Sequence, residues 1–225
     1  MRTRPAPEFA PLLRKILEER IGYGYSLPET HKLDLHMVTL QRGELLVGAG
    51  EENPYLYAVV DGLVKIGVVT ADGLERVTHI AEVGQTLAMP MLTESTWFGP
   101  SGTHSSYVEN SLRELRTGDT SYSVSALTDC SLLRMSYHQF EELAGKSMAW
   151  AAVCTHFLTV YSAINESRVI QFLTQTPTQR YQELVDTRGY LLELLPHRDI
   201  ALLLGITPET LSRIRSRLAR EAVGA

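Results

Sequence analysis

Near the C-terminus two amphipathic runs meet at the turn Gly205-Ile206-Thr207-Pro208-Glu209, and this short passage constrains the fold more than any other. On its N-terminal side Ile200, Ala201, Leu203 and Leu204 recur at helical spacing. Gly205 then stands where a helix end needs a residue that tolerates positive φ. Thr207 is placed to cap a second helix, Pro208 suits its first position, and Glu209 puts an acid in its first turn. Leu211, Ile214 and Leu218 give that helix a buried stripe, with Glu209, Ser212, Arg213, Arg215 and Arg217 largely off it. Two helices, a tight turn and polar residues near the second N-terminus are the plan of a DNA-reading helix-turn-helix. The same pattern also fits an ordinary helical hairpin with a solvated basic face.

The chain has 225 residues, enough for one large domain or two ordinary ones, and its hydrophobic content of 44% supports a packed core. A net charge of -5 excludes a globally basic nucleic-acid binder. Positive charge is local instead: from Pro208 to Ala225 there are Arg213, Arg215, Arg217 and Arg220 against Glu209 and Glu221. The two cysteines, Cys130 and Cys154, cannot form a metal knuckle and read as small buried hydrophobes. No apolar run approaches the ~20 residues of a membrane span, and no apolar core of signal-peptide type follows the N-terminus. The expectation is a soluble cytoplasmic protein with no membrane partner.

Residues 8 to 20 read as a short amphipathic helix carrying Phe9, Leu12, Leu13, Ile16 and Leu17. From about Leu33 the texture changes to short β-type runs: His36–Leu40, Leu45–Val47, Leu56–Val60, Leu63–Val69 and Arg76–Ile80. Asp72-Gly73 between two of them is a hairpin signal. Many short strands with regular turns suggest a barrel or double-sheet roll. A short helix over 137 to 144 precedes a longer one, about Ser147 to Gln175, that Thr176-Pro177 ends. Within it Val153, Phe157, Val160 and Ile164 are spaced 4, 3 and 4 apart, a coiled-coil seam that turns polar at Ser167 and Gln171. Such a seam fits either a dimer interface or a helix packed on its own β-roll.

The run Gly205-Ile206-Thr207-Pro208-Glu209-Thr210-Leu211-Ser212-Arg213-Ile214-Arg215 resembles the recognition element of the Crp/Fnr family of bacterial transcription regulators, and Glu209-x-x-Ser212-Arg213 matches its base-reading pattern. Upstream, Arg42-Gly43-Glu44-Leu45, Leu56-Tyr57-Ala58-Val59 with Gly62, Val64-Lys65-Ile66 and Asp72-Gly73-x-Glu75 resemble the family's cyclic-nucleotide-binding-type β-roll, which resumes over Tyr122–Met135. The resemblance implies an α+β chain. Its parts are an N-terminal double-stranded β-helix (a jelly-roll-like β-roll) as sensor over 1–146, a dimerisation helix over 147–175, and a helix-turn-helix domain over 176–225. It implies a homodimer through Val153, Phe157, Val160 and Ile164 that binds a palindromic operator in double-stranded DNA and works with RNA polymerase. Glu209, Ser212 and Arg213 would read bases. Thr207, Thr210, Arg215, Arg217 and Arg198 would hold the DNA backbone. Seven residues follow Leu218, so the β-hairpin wing of the family is expected to be missing.

The effector site departs from the family. Members that bind a cyclic nucleotide carry a Gly-Glu pair for the ribose and an Arg for the phosphate; here those positions fall at Ala88-Met89 and near Thr120 or Ser121. Methionine cannot accept a hydrogen bond from a ribose hydroxyl as a carboxylate does, and a hydroxyl cannot neutralise a phosphate. Between Met91 and Thr120 the chain carries about twenty residues more than the simple family pattern. That segment reads as a surface loop or as a lid whose Arg113 and Arg116 offer another anion site. The effector is therefore open: an unidentified one, or none, the chain then acting ligand-free. No cofactor and no metal are expected, since two cysteines cannot hold an iron–sulfur cluster and the seven histidines have no diagnostic spacing. Two other classes remain to be set beside a regulator. One is a sensor module acting through protein partners. The other is a cupin-like metal enzyme, which the lack of a His-x-His pair argues against; no enzymatic activity is expected.

Overall fold

The computed structural model describes residues 1–22, 24–49, 51, 53–69, 75–87 and 122–223. Ala88, Met89, Arg113 and Arg116, the 92–120 insertion and the Asp72-Gly73 turn lie outside the described residues.

The N-terminal part is a two-sheet roll. One sheet has the order β1-β2-β9-β4-β7, formed by Arg2–Pro5, His36–Leu40, Cys130–Ser136, Tyr55–Asp61 and Thr86–Leu87. The other has the order β3-β8-β5-β6, formed by Leu45–Val47, Tyr122–Ala126, Val64–Val69 and Glu75–Ala81. Every described pairing is antiparallel. Side chains alternate across a strand, so β9 serves two cores at once. Cys130 and Leu132 point between the sheets, with Val38, Val59, Val64 and Val124. Leu133 and Met135 point outward, into a layer of helices. Gly62 makes the tight turn from β4 to β5 at φ 85°, and a Cβ there would lie 2.3 Å from the Asp129 carbonyl oxygen. Only glycine fits both conditions.

The outer layer comprises α1 (Ala10–Ile21), α2 (Tyr137–Lys146) and the start of α3 (Met148–Thr174). Trp150 is fully buried there, its ring edge-on to Phe140 at 6.1 Å and its indole N–H bonded to the Pro28 carbonyl at 3.0 Å. The first half of the Val153/Phe157/Val160/Ile164 seam faces this layer. Val153 is 0% exposed within the protomer, and the Phe157 ring lies 6.3 Å from that of Phe140. Val160 and Ile164 line a cavity against the roll. Val160 stays 43% exposed, so one protomer covers this seam only in part. The apolar side chains that α3 leaves exposed include Leu158, Val169 and Leu173, and spacings of 11 and 4 put them on one face.

Beyond α3 come α4 (Pro177–Arg188), α5 (Leu191–Leu194), α6 (His197–Leu204) and α7 (Pro208–Val223). Gln175 caps the end of α3, and Thr176 opens α4 through a capping box with Gln179. The third core joins the two halves: Leu63, Val77, Ile80 and Leu127 of the roll cluster with Leu191, Leu195, Ile200 and Leu203.

Candidate nucleic-acid interface

Helix α6 ends as its sequence requires. Gly205 sits at φ 67°, its N–H donates to the Leu202 carbonyl at 3.1 Å, and the Ile206 N–H donates to that of Ala201 at 3.0 Å. This is a Schellman closure. A Cβ on Gly205 would also lie 2.5 Å from Phe172 Cε1, so α3 presses on the turn from outside. Two residues later Thr207 Oγ1 accepts from the Thr210 N–H at 3.2 Å, and its hydroxyl lies 3.1 Å from that of Thr210. The cap begins α7 with Pro208 in its first position.

Leu211 and Ile214 of α7 are buried against α6, and Leu218 is partly buried. Glu209, Ser212, Arg213, Arg215 and Arg217 are exposed. The Glu209 backbone N–H and the Thr207 hydroxyl hold the Glu209 carboxyl below the usual carboxylate range, with the charge of Arg213 adding to them. An ionised acid thus stands at a helix N-terminus, one turn from a guanidinium with no carboxylate in ion-pair contact among the described residues. The pair offers one hydrogen-bond acceptor and a fork of donors side by side, which is what two adjacent base edges require.

The other cations differ in their surroundings. Arg215 contacts the His197 ring, and Arg217 donates to the Thr178 hydroxyl and lies 3.9 Å from Glu221. Arg198 lies 3.7 Å from Glu75 on β6. Arg180, a further candidate for backbone anchoring, donates to the carbonyls of Leu204 at 3.1 Å and Gln175 at 2.7 Å and stacks on Phe172. It staples α4 to the end of α6.

Several residues at the junction carry no local sequence signal. Lys65 lies 2.6 Å from Glu75 and 3.5 Å from Asp199 on α6, all three side chains being less than a quarter exposed. Glu82 after β6 meets Arg188 at 3.4 Å and accepts from the Tyr190 hydroxyl. Arg168 on α3 donates to the carbonyls of Val77 and Leu203. Burial, with Arg188 and Arg180 nearby, pushes Arg168 down to about 10, so it stays charged at neutral pH.

Between the second sheet and α3 lies a cavity of about 460 Å³ lined by His79, Gln85, Tyr122, His156, Tyr161 and Asn165 among others. His79 bonds Gln85 Oε1 at 3.1 Å, and burial pushes its ring below the ordinary histidine value. Among the described residues no three His, Cys, Asp or Glu side chains are grouped so as to hold a metal ion.

No protein-family model matches the sequence, and no curated protein matches it. Solved structures do. FixK2 from Bradyrhizobium japonicum superposes with a TM-score of 0.60 at 21% identity, covering 83% of this chain and 85% of that one. The global regulator CLP of Xanthomonas campestris, described as responsive to c-di-GMP, gives 0.59 at 16% identity over 84% and 88%. A protein from Eubacterium rectale described as a Crp/Fnr-family transcriptional regulator gives 0.59 at 13% identity over 84% and 80%. The chain has the Crp/Fnr fold. At these identities it is the fold that is shared, over 83 to 84% of this chain. No described helix is long and apolar enough to cross a membrane.

Proposed function

We propose that this protein is a sequence-specific DNA-binding transcriptional regulator of the Crp/Fnr type, working as a homodimer on a palindromic operator. One observation carries the reading: Glu209, Ser212 and Arg213 are exposed together on the first turns of α7, while Leu211 and Ile214 fix that helix to α6. Glu209 accepts from a cytosine amino group and Arg213 forks onto guanine, with Ser212 beside them. Thr207, Thr210 and the N-terminus of α7 hold phosphates, and Arg215 and Arg217 add non-specific charge. Arg198 joins them only when its contact with Glu75 opens.

The chain divides by role into a sensor over 1–146, a connecting helix over 147–175 and a reader over 176–225. The dimer surface is the exposed face of α3 around Leu158, Val169 and Leu173. The effector, where one acts, occupies the 460 Å³ cavity against α3, whose far end carries the reader. RNA polymerase and a cytoplasmic location go with this role.

Selection from randomised duplexes tests it. The expected product is a palindrome with half-sites about one helical turn, ~34 Å, apart, bound with a steep inverse dependence on salt. Failure to enrich any sequence overturns the proposal.

A further inference from the structure

A second cavity, of about 290 Å³, lies between α1 and the outer face of the first sheet. Leu13 and Ile16 of α1, Leu56 and Ala58 of β4, Met135 of β9 and Phe157 of α3 face it. The exposed Leu12, Val83 and Arg20 stand on its rim, so it is a cleft open to solvent. Its lining is almost wholly apolar. Among the described residues the one charged side chain on it is Arg20, at the end of α1.

Arg20 is held but not neutralised. Its guanidinium donates to the Gly84 carbonyl, and no carboxylate pairs with it among the described residues. Arg20, Val83, Gly84, Thr86 and Phe157 also border the 460 Å³ cavity, so the cation stands where the two spaces adjoin. A nucleotide suits the smaller cavity badly, because its sugar hydroxyls and phosphates would lose their hydrogen bonds against aliphatic walls. The complement of these walls and this cation is an apolar chain with a single anionic head.

We propose that the space between α1 and the first sheet binds a free amphipathic monocarboxylate, with its chain among Leu13, Ile16 and Phe157 and its head on Arg20. An occupant would bridge α1 and α3. The proposal concerns ligand binding by the roll and does not depend on whether α7 reads DNA.

Calorimetry on the full chain with hexanoate, octanoate, decanoate and dodecanoate tests it. Affinity should rise roughly fourfold per added methylene until the cavity is full. Arg20→Gln should weaken decanoate about tenfold while leaving decanol unchanged, since only the acid has a charge to pair. Ile16→Trp, which fills the space, should abolish binding of both; a circular-dichroism melt unchanged from the parent shows that the variant is folded, and Leu13→Phe serves in its place if it is not. No saturable binding, equal affinity along the series, or decanoate binding indifferent to Arg20→Gln would each overturn the proposal. So would co-sedimentation with phosphatidylglycerol vesicles in the absence of decanoate binding, which would place the acyl chain in a membrane.

Discussion

Arg168 donates a hydrogen bond to the carbonyl oxygen of Val77 at 3.0 Å, tying the long helix α3 to strand β6. The same nitrogen reaches the carbonyl of Leu203 in the last turn of α6. One guanidinium therefore belongs to the long helix and touches both the second sheet and α6. Its place at the C-terminal end of α6 is also favoured by the helix dipole. Arg168→Ala should lower stability by about 2 kcal/mol, the range for hydrogen bonds from a charged donor to partners left buried. Urea unfolding measures this; a change within error would mean that the contacts add nothing.

The turn between the reader helices gives a sharper expectation. Gly205→Ala meets two costs, a left-handed backbone and a Cβ 2.5 Å from Phe172 Cε1. The backbone alone costs about 1 kcal/mol. Pairing Gly205→Ala with Phe172→Ala should recover the part due to the clash, read as a non-additive double-mutant cycle. Strict additivity would mean that Phe172 does not restrict the turn.

His79 sets a pH dependence. Burial is the main cause of its lowered value; Gln85 opposes the shift, Arg188 and Arg168 add to it, and Glu82 opposes it weakly. As pH falls below the ordinary 6.5, the unfolded chain takes up a proton that the folded chain still refuses. Stability is therefore lost as pH falls below 6.5, until the folded ring itself takes up the proton. His79→Gln should flatten that part of the stability profile. An unchanged slope in the variant would assign the loss to other groups.

The dimer surface is tested by two substitutions on adjacent residues. Leu158→Asp places a charge on the exposed face of α3 and should halve the sedimentation mass without moving the melt of the protomer. Phe157→Asp falls in the helical core against Phe140 and should cost at least about 3 kcal/mol whatever the oligomeric state. A Leu158→Asp protein that stays dimeric would move the interface elsewhere.

Local signals were readable in the sequence and relationships between distant segments were not. The Gly205 closure and the Thr207 cap depend on backbone preferences within a few residues, and both form as the residues dictate. Strands β2 to β6 follow from alternation and turn residues, within a residue or so of the expected limits. Strand β1 was missed because Arg2–Pro5 is exposed throughout and shows no alternation. Helical periodicity marks the α3 seam as apolar without saying what covers it; Val153 and Phe157 pack within the protomer, whereas Val160 is 43% exposed. Lys65 and Asp199 are 134 residues apart, so nothing in the local pattern of either announces the other. The cavity at Arg20 likewise draws on α1, β4, β9 and α3, and no short window contains it.

The central claim is that α7 reads bases through Arg213. Binding of Arg213→Ala and Arg217→Ala to a panel of single-base operator variants tests it most directly. Arg213→Ala should lose about 1–3 kcal/mol at the selected operator and cease to discriminate at one base pair of each half-site. Arg217→Ala, whose guanidinium already contacts Thr178 and Glu221, should weaken every sequence about equally and flatten the salt slope. If the two variants show the same profile across the panel, Arg213 does not read a base and the account fails at its centre.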